Sequence, residues 1–183
     1  MTLALTLGMS IGVRRTLWMM AGELIGVALV ATLSTLGVAA LMVQYPLLFT
    51  VLKYLGGLYL GYLGIQLWLS KGKMAISENP GQHTDLGRKA LATQGFLTAV
   101  ANPKGWAFFI ALLPPFIHYE QAIAPQLILL LGIILSLEFL CLLIYASGGK
   151  TLRRLLMQAG HVQKINRIAG TLMIGVGIWL ALG

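Results

Sequence analysis

The sequence predicts an all-α, polytopic membrane protein on a six-helix plan: two inverted three-helix repeats, with the first helix truncated and five full helices. Three observations carry this. Of 183 residues, 58% are hydrophobic and only 10% are charged, whereas a soluble domain is about 25% charged. Polar residues this sparse cannot cover a globular surface. The apolar residues fall into long runs separated by short connections. The basic residues concentrate in alternate connections.

The first run, residues 1–13, extends only about 20 Å as a helix, against a hydrocarbon core of about 30 Å. It reads as the second half of a spanning helix. Arg14 and Arg15 follow it. A secretory signal carries its positive charge before its apolar region, so this order argues against a cleavable leader. Residues 16–42, 47–69, 91–113, 123–147 and 165–183 are five further runs. A spanning helix needs about 20 residues, so each is a candidate span, the last being the shortest.

The connections give the expected orientation. Arg14 and Arg15 follow the first run; Lys71, Lys73, Arg88 and Lys89 flank the linker after the third; Lys150, Arg153, Arg154, Lys164 and Arg167 follow the fifth. The others hold only Lys53, and 116–122 holds no basic residue. By the excess of Lys and Arg in cytoplasmic loops, the basic connections are expected in the cytoplasm and both termini outside. Trp18 and Trp68 are then expected at the inner interface, and Tyr45, Tyr119 and Trp179 at the outer one.

The whole chain, 1–183, reads as one transmembrane domain: a first repeat over 1–69, a cytoplasmic loop over 70–90 and a second repeat over 91–183. Glu78, His83 and Asp85 in the loop lack a spacing that fixes metal geometry, so no metal is expected there. Residues 150–167 read as a basic interfacial helix lying on anionic lipid, with His161 on its surface. The net charge of +8 follows from this topology; a nucleic-acid reader needs a clustered basic patch on a folded surface. The single cysteine, Cys141, lies in an apolar run and reads as a small core residue.

Two correspondences suggest the repeat. Lys53-x-x-Gly56-x-Leu58-x-x-Gly61 matches Arg167-x-x-Gly170-x-Leu172-x-x-Gly175 in spacing, and Glu23 and Glu138 occupy nearly the same offset in their runs. Three helices per half means the second half is inverted, a plan that places binding sites at the repeat interface on interrupted helices. The glycine rows 56/57/61/64 and 170/175/177 suit close helix approach.

The interruption is Asn102-Pro103-Lys104, in the middle of 91–113. Broken backbone in hydrocarbon is tolerated only inside protein or along a cavity, and a lysine at that depth marks a site or pathway. Proline releases backbone groups, so a helix restarting near Lys104 is expected to present free N–H groups and a positive dipole end. With the lysine beside it, that is a seat for a carboxylate. The plainer alternative is a kinked packing helix whose lysine snorkels toward water. Glu23 and Glu138, the acidic residues inside apolar runs, could relay protons or accept an ammonium; a structural ion pair with Lys104 is the alternative. Tyr145, two turns after Glu138, approximately shares its face. Ser136 and Ser147 lack a histidine base in the apolar runs, so an enzyme is not expected.

The chain resembles the LysE/RhtB family of bacterial amino-acid exporters nearly end to end. The resemblance rests on Gly95-Phe96-Leu97-Thr98 through Asn102-Pro103-Lys104, then Phe108-Phe109 and Leu113-Pro114-Pro115-Phe116-Ile117. The family usually has Gln at the position of Pro115. Also similar are Leu52-Lys53-Tyr54-Leu55-Gly56-Gly57, Glu138 seven residues before Tyr145, and the run from Ile165 to Gly170. The resemblance implies efflux of amino acids or their derivatives across the bacterial inner membrane, driven by the proton gradient. The implied partners are the lipid bilayer, an amino-acid substrate and protons, with no cofactor and with a homo-oligomer left open. The expected substrate-binding residues are Asn102, Pro103, Lys104, Glu138, Glu23 and Tyr145. Family members carry Pro-Gly-Pro-Asn just before a stretch like 2–7, where this chain begins. The expectation is therefore a truncated chain or a start assigned too late. The alternative functions are export of another small solute or cation by the same fold, or a non-transporting membrane protein.

Overall fold

Gly12 separates the first two helices, with φ at +80°, a conformation open to glycine and strained for other residues. The protein is described here by a computed structural model that covers residues 2–70, 86–118, 120–157 and 159–182. Before Gly12 lies α1 (Thr2–Ser10); after it runs α2 (Val13–Gln44). A single residue, Tyr45, separates α2 from α3 (Pro46–Leu69). Proline disfavours helical backbone in the residue before it and suits the first position of a helix. Tyr45 is accordingly extended (φ −138°, ψ 71°) and Pro46 opens α3.

After the linker come α4 (Arg88–Val100) and α5 (Pro103–Leu112). A 3₁₀ turn at Pro114–Phe116 ends α5. The connection to α6 (Ile123–Met157) is clamped by Gln126. Its side chain accepts the His118 N–H at 2.8 Å and donates to the His118 and Ala122 carbonyls at 3.0 and 3.1 Å. The last helix is α7 (Ala159–Leu182).

Among the described residues the protein is all-α and polytopic. Four helices are long and apolar enough to cross a membrane; α4 and the segment from Pro103 to Phe116 pass the same test together, bent by 55° at the break, and count as a fifth where the pair is one span. The apolar run over 91–113 is thus interrupted between α4 and α5. α1 has nine residues; its Ala4, Leu5 and Leu7 are fully buried, and it packs mainly on α6.

Two expectations are corrected here. Cys141 is exposed on α6 and is not a core residue, because it lies on a helix face that no neighbouring helix covers among the described residues. Residues 150–167 do not form a separate interfacial helix: α6 continues to Met157 and α7 starts at Ala159. The segment after Gly149 holds no proline and is rich in Leu, Arg, Lys and Met, which favour helix, so α6 runs on past its apolar part. Residues 71–85, including Lys71, Lys73, Glu78, His83 and Asp85, lie outside the described residues, as does Tyr119. So do the side chains of Lys150, Arg153, Arg154 and His161.

The most extensive packing joins α3 to α7 and α2 to α4. α3 and α7 are antiparallel, with Gly57 against Gly177 and Gly64 against Gly170. A Cβ on Gly64 would lie 2.7 Å from the Gly170 carbonyl oxygen. Gly61 and Gly175, in the same glycine rows, face open space instead. Asn166 ties the far end of this pair by donating to the Ser70 hydroxyl at 2.9 Å, beside the Arg167 guanidinium 4.9 Å above the Trp68 ring. In the α2–α4 pair, a Cβ on Gly95 would collide with the Met19 carbonyl and come 2.9 Å from the Glu23 nitrogen. This glycine brings α4 against the backbone that carries Glu23.

Candidate functional site

The break between α4 and α5 begins with local chemistry. Asn102 is extended (φ −84°, ψ 102°) because Pro103 follows it. Pro103 takes the first helical position, where a missing N–H costs nothing. The Asn102 Oδ1 accepts the Lys104 N–H at 3.1 Å, and the Asn102 carbonyl accepts the N–H groups of Gly105 and Trp106 at 3.1 and 3.3 Å. The free N–H groups expected at this helix start are therefore already engaged. Asparagine is among the strongest N-caps, and it closes the helix that proline opens. On the other side of the break, the Trp106 indole N–H donates to the Val100 carbonyl at 2.8 Å. That carbonyl lost its helical partner at the break. What remains here for an anion is the helix dipole and the Lys104 ammonium.

Around this break lies a cavity of about 480 Å³. Glu23 reaches it from α2, Thr98 from α4, Lys104 from α5 and Glu138 from α6, with Asn102 at the break itself. Leu63 of α3 and Met173 of α7 complete the wall. Glu23 is 7% exposed, whereas Glu138 is half-buried and Lys104 is exposed. Two carboxylates and one ammonium thus share one chamber. Carboxylates can accept hydrogen bonds from an ammonium, and an ammonium at a helix start can hold an anion. Asn102, also in the lining, carries an amide NH2 that can donate. Phe108 and Phe109, edge to face with centroids 5.6 Å apart, add an apolar wall.

Four of the six sequence-predicted residues, Asn102, Lys104, Glu138 and Glu23, line this cavity. Glu23, nearer the end of its run than Glu138, reaches the same chamber. Pro103 is not part of the lining; its contribution is to the break. Tyr145 is not in the lining either. It packs against apolar clusters that include Leu5 of α1 and Val162 of α7. Seven residues return a helix to the same face but move roughly 10 Å along the axis, far enough to leave the chamber.

Sequence reasoning did not single out Thr98, Phe108 and Ile134 as site residues, yet all three line the cavity. Helical spacing carries the signal for two of them: Phe108 is four residues after Lys104 and Ile134 four before Glu138, and such neighbours share a face. Thr98 lies in the last turn of α4, just before the break.

The comparisons with known proteins agree in character. The family model described as LysE type translocator matches residues 1–183. A Vibrio cholerae protein described as an uncharacterized membrane protein is 29% identical, covering 95% of this chain and 83% of its own length. The homoserine/homoserine lactone efflux protein of Salmonella typhimurium is 27% identical over 97% of this chain and 84% of its own. The leucine efflux protein of an Enterobacter species is 27% identical over 95% of this chain and 82% of its own. No solved structure matches.

Proposed function

This chain belongs to the LysE type translocator family, and from that premise we propose that it is a secondary transporter exporting amino acids or amino-acid derivatives across the bacterial inner membrane, driven by the proton gradient. It is a multi-pass membrane protein, and relatives named for efflux of homoserine, homoserine lactone and leucine support this substrate class. The observation that carries the reading is the chamber at the α4–α5 break whose lining includes Glu23, Glu138 and Lys104. A zwitterion carries both signs of charge, and a chamber lined by both signs at intramembrane depth supports such a solute.

In this reading Lys104 and the start of α5 hold the substrate carboxylate. Glu138 and Glu23 hold its ammonium and take up a proton when the ammonium leaves. The chamber carries a formal charge of −1 from two acids and one base, so one proton neutralises it. The reading includes the two inverted halves, 1–69 and 91–183, with the chamber at their interface, and basic connections on the cytoplasmic side.

The test is an efflux assay on cells expressing the chain, loaded with a panel of amino acids, with and without a protonophore. The proposal expects at least one amino acid to leave faster than from control cells, and the protonophore to abolish the difference. If no amino acid in a broad panel leaves faster while the protein is present in the membrane, the substrate class is wrong. If export persists with the proton gradient collapsed, the coupling is wrong.

A further inference from the structure

A second cavity, of about 420 Å³, lies where α2 and α4 begin, lined by Arg14, Arg15, Trp18, Gly87, Arg88 and Leu91. It is separate from the chamber and shares no lining residue with it. We propose that this pocket holds the phosphate of an anionic phospholipid headgroup, so that a membrane lipid bridges the starts of two spanning segments.

The charge is the first argument. Three arginines converge on one pocket from two helices that are far apart in sequence. Arg14 and Arg88 are exposed at its rim. Lys89 follows directly, and Asp85 is the nearest acidic residue in the chain. Counting Arg14, Arg15, Arg88 and Lys89 against Asp85 leaves a charge of +3. Guanidinium groups bind phosphate in a two-pronged geometry that an ammonium lacks. Both helices also start at a glycine, Gly12 and Gly87, with no side-chain cap on their N–H groups, which adds to the positive potential.

Geometry is the second argument. The Arg15 Nη2 donates to the Leu86 carbonyl at 2.9 Å, fixing the end of the linker against α2. The Arg88 guanidinium sits 5.6 Å from the centre of the Trp18 ring. The two contacts hold the arginines around the opening.

Position selects a lipid over a free anion. The pocket lies at the start of α2, a helix long and apolar enough to cross a membrane, the depth at which headgroups sit. Trp18 and Leu17 are 44% and 38% exposed there, and tryptophan favours the boundary between headgroups and hydrocarbon. A lipid can set its phosphate among the arginines and its chains along Leu17 and Trp18, which a free phosphate cannot. Basic pockets between spanning helices recognise anionic headgroups by this combination.

The experiment uses the full chain in detergent micelles doped with phosphatidylglycerol, with phosphatidylcholine, or with inorganic phosphate alone. Retained lipid is read by native mass spectrometry and protection by thermal unfolding. Phosphatidylglycerol is expected to be retained and protective, and phosphatidylcholine much less so. Arg14→Gln/Arg88→Gln is expected to weaken phosphatidylglycerol retention on the order of twentyfold, for two charges removed near the surface. Arg14→Gln alone leaves the Arg88–Trp18 contact in place, and is expected to give on the order of a fivefold loss, which keeps the test decisive if the double variant does not fold. Lys53→Gln removes one charge elsewhere and is expected to change nothing. Equal retention of the two lipids, or an equal loss in Lys53→Gln, would overturn the proposal. Protection by inorganic phosphate equal to that by phosphatidylglycerol would overturn it in favour of a free-anion site.

Discussion

The Oδ1 atom of Asn102 accepts the backbone N–H of Lys104 at 3.1 Å, so the extended residue at the break caps the helix that follows it. Capping by asparagine stabilises a helix start by about 1 kcal/mol. Here the same bond fixes where the Lys104 side chain leaves the backbone. Asn102→Ala is therefore expected to lower thermal stability by roughly 1 kcal/mol and to reduce efflux. Asn102→Ser, which keeps a capping oxygen, is expected to restore most of the stability. Thermal unfolding of the two variants side by side checks the cap. Equal stability would show that the bond contributes nothing.

The charged residues of the chamber make a different kind of prediction. Lys104→Ala and Glu138→Gln are each expected to impair efflux while leaving the amount of protein in the membrane unchanged. A structural ion pair would behave otherwise, because loss of one buried partner is strongly destabilising. Quantifying membrane protein alongside efflux separates the two. A fall in protein matching the fall in efflux would favour the structural role.

The carboxylate seat can be probed from the substrate side. An amino acid that is exported is expected to lose competition when its carboxylate is removed, leaving the corresponding amine. The loss is expected to shrink in Lys104→Ala, where the matching charge is gone. Competition curves for the acid and its amine, in both proteins, provide the check. Equal competition by acid and amine in the unaltered protein would remove Lys104 from substrate binding.

Gly95 and Gly61 should respond in opposite ways to added bulk. A Cβ at Gly95 meets the Met19 carbonyl and the Glu23 nitrogen, so Gly95→Val is expected to cost about 1–3 kcal/mol or more by overpacking. It should also displace Glu23 and lower efflux. A Cβ added at Gly61 would have nothing within 4 Å, so Gly61→Ala is expected to be neutral or stabilising by roughly 0.4–1 kcal/mol. Melting temperatures of the two variants test the contrast.

Tyr145 gives a negative prediction. It packs against the apolar clusters around α1 and not in the chamber wall, so Tyr145→Phe keeps the ring and is expected to change stability by no more than roughly 0.5 kcal/mol. Efflux should be essentially unaltered. A large efflux defect with normal stability would place the hydroxyl on the transport path.

Much of this protein was legible in the chain. The apolar runs anticipated the spanning helices to within a few residues at most ends, because burying backbone in hydrocarbon forces helix wherever side chains are apolar for long enough. The α4–α5 break was legible at Pro103 for an equally local reason, the missing N–H and the constraint on Asn102. The end of α6 was not, because the boundary between a spanning helix and a basic interfacial one depends on continuity of helix rather than on polarity.

The site was legible in part. Glu23, Glu138, Asn102 and Lys104 stood out because charge, amide and proline are rare in apolar runs. Thr98, Phe108 and Ile134 are ordinary membrane residues and gain their place only from the helix faces beside those four.

The sequence by itself determined the membrane class, the spans and the position of the break, since each depends on composition or on neighbours along the chain. Only the tertiary structure decided that Glu23 and Glu138 open on one chamber with Lys104, that the helix start at the break is already capped, and that Tyr145 lies elsewhere. Those outcomes depend on the rotation and offset of helices against one another. The backbone contacts at Gly95, Gly64 and Gly170 help set both, and a one-dimensional pattern does not encode which glycine meets which neighbour.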